Sequence, residues 1–260
     1  MGIALVTGGT SGIGATFARQ LAARGDDIVL VARNRDRLEE MAHELRGMGR
    51  EVEILPADLS KRSDVAKVVK RLGSTEKPVD VLVNNAGFGM HSRLSDADAT
   101  VHDLAFEVMV RAVRELGAAA ARSMRERGRG RIINVSSTAG FITMASGYSA
   151  IKTWVTAFSE GLSNELHKTG VTVTALCPGW VHTEFHSRAG ISKGGIPSWM
   201  WLDSEKLVRS ALRDAERGRV ISIPSVRYKV LMWIVRHLPR SAVRSISRAI
   251  SSSRSSTVAE

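Results

Sequence analysis

Only one cysteine, Cys177, occurs in the 260 residues. A lone thiol excludes an intrachain disulfide and a metal site built from several cysteines, so no metal is expected. It suits a reducing setting, here the cytoplasm. Long hydrophobic runs are missing too. The longest late one, Val230–Val235, is far short of the roughly 18 residues that a membrane-spanning helix needs. At the N-terminus the apolar Ile3–Val6 has no basic segment before it and soon meets glycines, so it does not read as a secretory leader. A myristoylation signal after Gly2 would need Ser or Thr where Val6 stands. Acidic residues are scarce in one place. From Arg217 to Glu260 there are nine Lys/Arg and one acid, in a chain of net charge +11. The basic excess is concentrated in the tail, and with no recognition motif in view nucleic acid is not expected as a partner.

What remains is an ordinary globular composition, 43% hydrophobic and 24% charged. Short apolar runs alternate with longer amphipathic ones, the pattern of a parallel α/β sheet. The predicted strands are Ile3–Thr7, Ile28–Ala32, Glu53–Ala57, Val79–Asn84, Arg131–Ser136, Val171–Cys177 and Val220–Ile223. The predicted helices are Ile13–Ala23, Arg35–Met48, Arg62–Leu72, Asp98–Arg125, Ala150–Lys168 and Ser204–Arg217. Strands so uniformly apolar are expected to be covered on both faces. This gives one doubly wound domain over 1–223 and a basic helical extension over 224–260, with Ser251–Glu260 frayed. The tail segment Tyr228–Leu238 is both apolar and basic. It can dock on its own domain or a partner subunit, or lie on an anionic membrane surface.

Between the first strand and the first helix runs Thr7-Gly8-Gly9-Thr10-Ser11-Gly12-Ile13-Gly14. Glycines let a backbone come close to a pyrophosphate, and the N–H groups at a helix start favour its charge. Strand–helix turns also need glycine simply for φ > 0, so the turn alone is not decisive.

The spacing T-G-x-x-x-G-x-G resembles that of the short-chain dehydrogenases/reductases. Four further segments match that family in order: Asn84-Asn85-Ala86-Gly87, Asn134-Val135-Ser136-Ser137, Tyr148-Ser149-Ala150-Ile151-Lys152, and Cys177-Pro178-Gly179 with Thr183 beyond. The resemblance spans residues 3 to 185. It implies a Rossmann-type sheet of about seven strands and an oxidoreductase acting on a carbonyl or alcohol. Tyr148 is then the proton donor or acceptor, Lys152 lowers its pKa and holds the nicotinamide ribose, and Ser137 bonds the reacting carbonyl. Lys152 lies four residues after Tyr148, so a helix here projects both from one face. Cofactor contacts fall to Gly8, Thr10, Ser11, Gly12, Ile13, Gly14, Asn85, Ala86, Gly87, Tyr148, Lys152, Pro178, Gly179, Val181 and Thr183.

After the second strand comes Arg33, where an acid would select NAD(H) and an arginine accommodates a 2′-phosphate. NADP(H) is therefore expected over NAD(H), although an arginine here can also serve only as a surface ion-pair partner. Asp58-Leu59 stands where the family contacts adenine, and Asp58 is equally suited to an N-cap. One departure is visible. Met109 occupies the position of an asparagine that many members use in their proton relay, and a thioether cannot supply an amide's hydrogen bonds. This leaves room for a catalytically weak, regulatory NADP(H)-binding protein. The segment about 185–205, with Phe185, Ile196, Trp199 and Trp201, corresponds to the substrate lid, whose aromatics suit a hydrophobic ketone or alcohol or simply pack the lid. The resemblance further implies a homodimer or homotetramer through the helices around Asp98–Arg125 and Ala150–Lys168.

Overall fold

The run Ile3–Thr7 forms a central strand, β1, hydrogen-bonded on both sides. The computed structural model describes residues 2–90, 92–143, 147–183, 197–239, 241–245 and 247. In chain order β1 is followed by α1 (Gly12–Ala23), β2 (Asp27–Ala32), α2 (Arg35–Gly47), β3 (Val52–Pro56), α3 (Arg62–Leu72) and β4 (Val81–Asn84). Then come α4 (Thr100–Phe106), a π-helical turn (Glu107–Arg111), α5 (Ala112–Glu126), β5 (Gly130–Val135) and a 3-10 turn (Thr138–Phe141). The second half adds α6 (Gly147–Glu165), β6 (Val171–Leu176), β7 (Trp180–Val181), β8 (Trp201–Leu202), α7 (Ser204–Glu216), β9 (Ile221–Ser222) and α8 (Val226–His237).

The main sheet runs β3-β2-β1-β4-β5-β6-β9, all parallel. Residue alternation along the strands supplies two cores. Ala4, Val6, Ile28 and Leu30 pack with α1, α2 and α7 on one face. Leu5, Val29, Val31 and Leu82 pack with α3, α5 and α6 on the other. A strand buried on both sides has no solvent face, and this explains its unbroken apolar runs. The chain reverses its order of addition between β1 and β4, so a crevice opens there at the carboxyl ends of the strands.

Three expectations change. The single helix over Asp98–Arg125 is interrupted by the π-turn, which inserts an extra residue around Met109. The helix expected at Ala150 begins at Gly147, so Tyr148 lies within its first turn. A two-stranded ribbon, β7–β8, was not predicted; two residues per strand are too few to show a period. Of the lid expected over 185–205, residues 185–196 lie outside those described, as do 251–260. The tail helix α8 buries Tyr228 and Met232 in the larger core.

Candidate active site

The glycine turn, Asn85–Gly87, Ser136-Ser137 and Pro178-Gly179 each follow a strand and so lie along the carboxyl edge of the sheet. The start of α6 brings Tyr148 and Lys152 to Ser137. At β1 the turn is drawn tight. Gly8 and Gly12 have φ of +64° and +53°, in the region that favours glycine. A Cβ on Gly14 would run into the Gly8 carbonyl and the Asn85 amide, and one on Gly12 would lie 3.3 Å from Thr183 Cβ. The turn is thus a bare backbone cradle. It leads into α1, whose N-cap Ser11 is extended and makes no side-chain cap bond, and whose first turn carries no acid. Donors at such a helix start suit a pyrophosphate, and the cradle fits a dinucleotide. Of the other assigned turn residues, Thr10 and Ile13 are half-buried, and Ile13 packs against the core.

Asn85 holds this turn from β4. Its Nδ2 donates to the carbonyls of Thr7 (3.0 Å) and Gly8 (3.3 Å), and its N–H donates to Thr7 Oγ1 (2.9 Å). The N–H of Ala86 also donates to Thr7 Oγ1, at 3.1 Å. Thr7 thus ties the turn to β4, a role the motif alone did not assign. Gly87 is pressed from behind: a Cβ there would lie 2.9 Å from Met109 Sδ.

At β2, Arg33 is exposed just past the last strand residue. Its charge reaches Asp58, which follows β3. Burial works against the Asp58 carboxylate, but bonds from the Ser60 N–H and hydroxyl, with Arg33 and Lys61 nearby, hold its pKa below the usual range. Asp58 Oδ1 accepts from Ser60 N (3.1 Å) and Oγ (2.8 Å), so it shapes a turn directly before the α3 N-cap, which is Lys61. Leu59 is buried in the second core.

Ser137, Tyr148 and Lys152 meet. Ser137 caps the 3-10 turn by accepting from Ala139 N at 3.1 Å, and its hydroxyl also bonds Tyr148. Lys152 Nζ lies 5.6 Å from the Tyr148 ring centroid and donates to the Val135 carbonyl at 2.8 Å. The expectation that Lys152 depresses the phenol is corrected here. Burial pushes Tyr148 up to about 12, with only the Ser137 bond working the other way. Burial also pulls Lys152 down to about 8, with the neighbouring Cys177 opposing. The ammonium lies over the ring and donates to a backbone carbonyl, and desolvation dominates both shifts. Tyr148 is therefore a neutral phenol at neutral pH.

Beneath this trio lies a buried polar network that the motifs did not announce. Ser136 Oγ donates to the Lys152 carbonyl at 2.7 Å and pairs with Thr156 Oγ1 at 2.8 Å. Asn84 Nδ2 donates to Asn134 Oδ1 (2.9 Å), and Asn134 Nδ2 donates to Ser159 Oγ (3.0 Å), tying β4, β5 and α6 together. On the β6 side the Pro178 carbonyl accepts from Thr138 N at 2.9 Å. The ring of Tyr228 fills the space a Cβ of Gly179 would need, and Val181 is buried in β7. Among the described residues no group of three or more His, Cys, Asp or Glu side chains could hold a metal.

Comparison with known proteins decides the family. The model of the short chain dehydrogenases matches residues 2–192. The chain belongs to the short chain dehydrogenase family. An uncharacterized oxidoreductase of Staphylococcus aureus is 36% identical over 183 residues, 70% of this chain and 78% of that protein. Among solved structures, a short-chain dehydrogenase from Sphingobium yanoikuyae in complex with NADPH superposes with a TM-score of 0.82 at 33% identity, covering 92% of this chain and 97% of that one. A bulky-bulky ketone specific alcohol dehydrogenase from Comamonas testosteroni gives 0.78 at 29% identity over 92% and 96% of the two chains.

Within this short chain dehydrogenase the departure at Met109 has a structural counterpart. Met109 is 1% exposed and clusters with Met90, Ala105 and Ile151, with Tyr148 packed alongside. The π-turn that carries it widens the backbone there, while the side chain serves as apolar filling. Met109→Asn is expected to leave turnover per folded molecule equal or higher. It should also cost about 2–4 kcal/mol of stability, through lost packing and a buried amide. Thermal melting of the variant checks the stability; an unchanged Tm contradicts the packing role.

Proposed function

We propose that this short chain dehydrogenase is NADP(H)-dependent and moves a hydride between the nicotinamide and a hydrophobic ketone or secondary alcohol. The contact of Ser137, Tyr148 and Lys152 at the carboxyl edge of the sheet carries the reading. When bound, the nicotinamide supplies or accepts the hydride. Tyr148, neutral and hydrogen-bonded to Ser137, donates a proton to the substrate oxygen in reduction and takes it back in oxidation. Ser137 orients that oxygen, and Lys152 holds the ribose side of the site. Because the phenol is pushed up to about 12, proton donation is ready at neutral pH, and the oxidative direction gains as pH rises.

Several observations support the substrate class. Trp180 and Trp201 lie 6.0 Å apart in the β7–β8 ribbon, and His182 stacks on Trp201 at 4.6 Å. These rings stand just beyond Pro178-Gly179, and the ketone-specific relative points the same way. Exposed Val101, Leu104 and Phe106 on and beside α4 give a homodimer or homotetramer an apolar face to cover. No helix among the described residues is long and apolar enough to cross a membrane, and we place the enzyme in the cytoplasm, where lone Cys177 stays reduced.

The test is a nicotinamide-fluorescence titration with NADPH and NADH in parallel, followed by a ketone panel with a Tyr148→Phe control. Tight NADPH binding with turnover lost in the control supports the proposal. Binding without turnover of any ketone favours a regulatory protein, and no binding of either cofactor refutes both. Arg33→Ala is expected to raise KM for NADPH about 10- to 30-fold with little change for NADH, the effect of losing one charge-assisted contact. Equal effects on both cofactors would remove Arg33 from the 2′-phosphate.

A further inference from the structure

We propose that α8 and the cations beside it form a docking surface for an anionic lipid bilayer. The inference concerns the side of the helix turned away from the domain and is independent of the hydride chemistry.

At about 100° per residue, Tyr228, Met232 and Val235 share one face, and these are the α8 residues that pack on the core. Val226, Val230, Trp233 and Ile234 fall on the opposite face. All four are exposed, Val226 at 76% and Trp233 at 63%. A helix that merely docks on its domain needs only the first face, and a water-facing side is normally polar. Here the outer side carries four exposed apolar residues, with His237 among them, its ring centroid 4.5 Å from that of Trp233. Nearby, Trp199 is also exposed, and its carbonyl accepts from the Arg227 guanidinium, which extends the patch beyond the helix.

The flanks are cationic. On the wheel, Lys229 and Arg236 lie to one side of the outer face and Arg227 to the other. The Arg236 guanidinium, in the last turn of the helix, lies 5.6 Å from the Phe141 ring centroid. From Arg217 to Ala259 the sequence contains no acid. An apolar stripe that includes a tryptophan, with cations on both flanks, matches the interface of a bilayer carrying anionic headgroups. A second copy of the chain fits less well, since face-to-face pairing would bring two regions of the same strong positive charge together.

The full chain should be sedimented with phosphatidylcholine vesicles containing phosphatidylglycerol, and with phosphatidylcholine alone. The wild type is expected to pellet with the anionic vesicles and to do so about tenfold less with the neutral ones. Trp233→Glu/Ile234→Glu, and separately Val230→Glu, should each lose about tenfold or more in anionic-vesicle binding while keeping wild-type NADPH affinity and circular dichroism. If the double variant does not fold, Val230→Glu alone decides. No pelleting with either vesicle overturns the proposal, as does equal pelleting of wild type and folded variant. A folded variant that changes oligomeric mass but still binds vesicles also overturns it and assigns the face to a second copy.

Discussion

Replacing Tyr148 by Phe should lower kcat by about two to four orders of magnitude, the range that a positioned proton donor contributes, while KM for NADPH moves little. The reason lies in what the substitution removes. The phenol hydroxyl bonds Ser137, and its ring lies against Lys152 and the Met109 cluster. Phenylalanine keeps the ring and its packing and deletes only the hydroxyl with its exchangeable proton. Stability should therefore change by no more than about 1 kcal/mol, the worth of one hydrogen bond. Steady-state rates with a saturating ketone, alongside a thermal melt, separate the two. A variant that melts normally and retains a tenth or more of its turnover would take Tyr148 out of the proton step.

Lys152→Met is expected to abolish measurable turnover and yet to make the fold more stable at neutral pH. Burial pulls the Lys152 ammonium from 10.5 down to about 8, so the native state carries a charge it disfavours. Below pH 8 both folded and unfolded chains are protonated and the full penalty is present. Between 8 and 10.5 the unfolded chain keeps its proton while the native one loses it, so wild-type stability rises with pH. Above 10.5 the penalty is gone. The shift corresponds to about 3 kcal/mol. Against this, methionine leaves the Val135 carbonyl without the 2.8 Å bond from Nζ, which costs about 1–2 kcal/mol. The variant should thus out-melt the wild type by a margin largest below pH 8 and shrinking through pH 10.5. A variant less stable than wild type at pH 7 would mean that the ammonium is better solvated than its burial implies.

The strands were readable because burial on both faces leaves its mark on every residue; Ala4, Leu5 and Val6 are all fully buried. The glycine turn and the Tyr148/Lys152 pair were readable because steric and spacing demands act over a few residues. What escaped the sequence depends on distant partners. Thr7 closes the turn only because β4 brings Asn85 and Ala86 to its hydroxyl, 78 and 79 residues away. The Asn84–Asn134–Ser159 chain needs three elements assembled at once. The break at Glu107–Arg111 sits in a run whose residues all suit an α-helix, so nothing local foretold the π-turn. The elevation of Tyr148 was missed for a related reason. Spacing places a lysine near a phenol but says nothing of which way its ammonium points or how much water remains.

The Tyr228 hydroxyl accepts from the Trp180 N–H at 3.1 Å and donates to the Met200 carbonyl at 2.8 Å, with its ring seated over Gly179. One side chain from the last described long helix thereby ties β7 to the 3-10 turn Ser198–Met200 that leads into β8. The extension is consequently bonded into the domain rather than appended to it, so whatever displaces α8 also acts on Trp180, Met200 and Gly179. Removing the chain from Val226 onward would take away both of these bonds and the ring that covers Gly179.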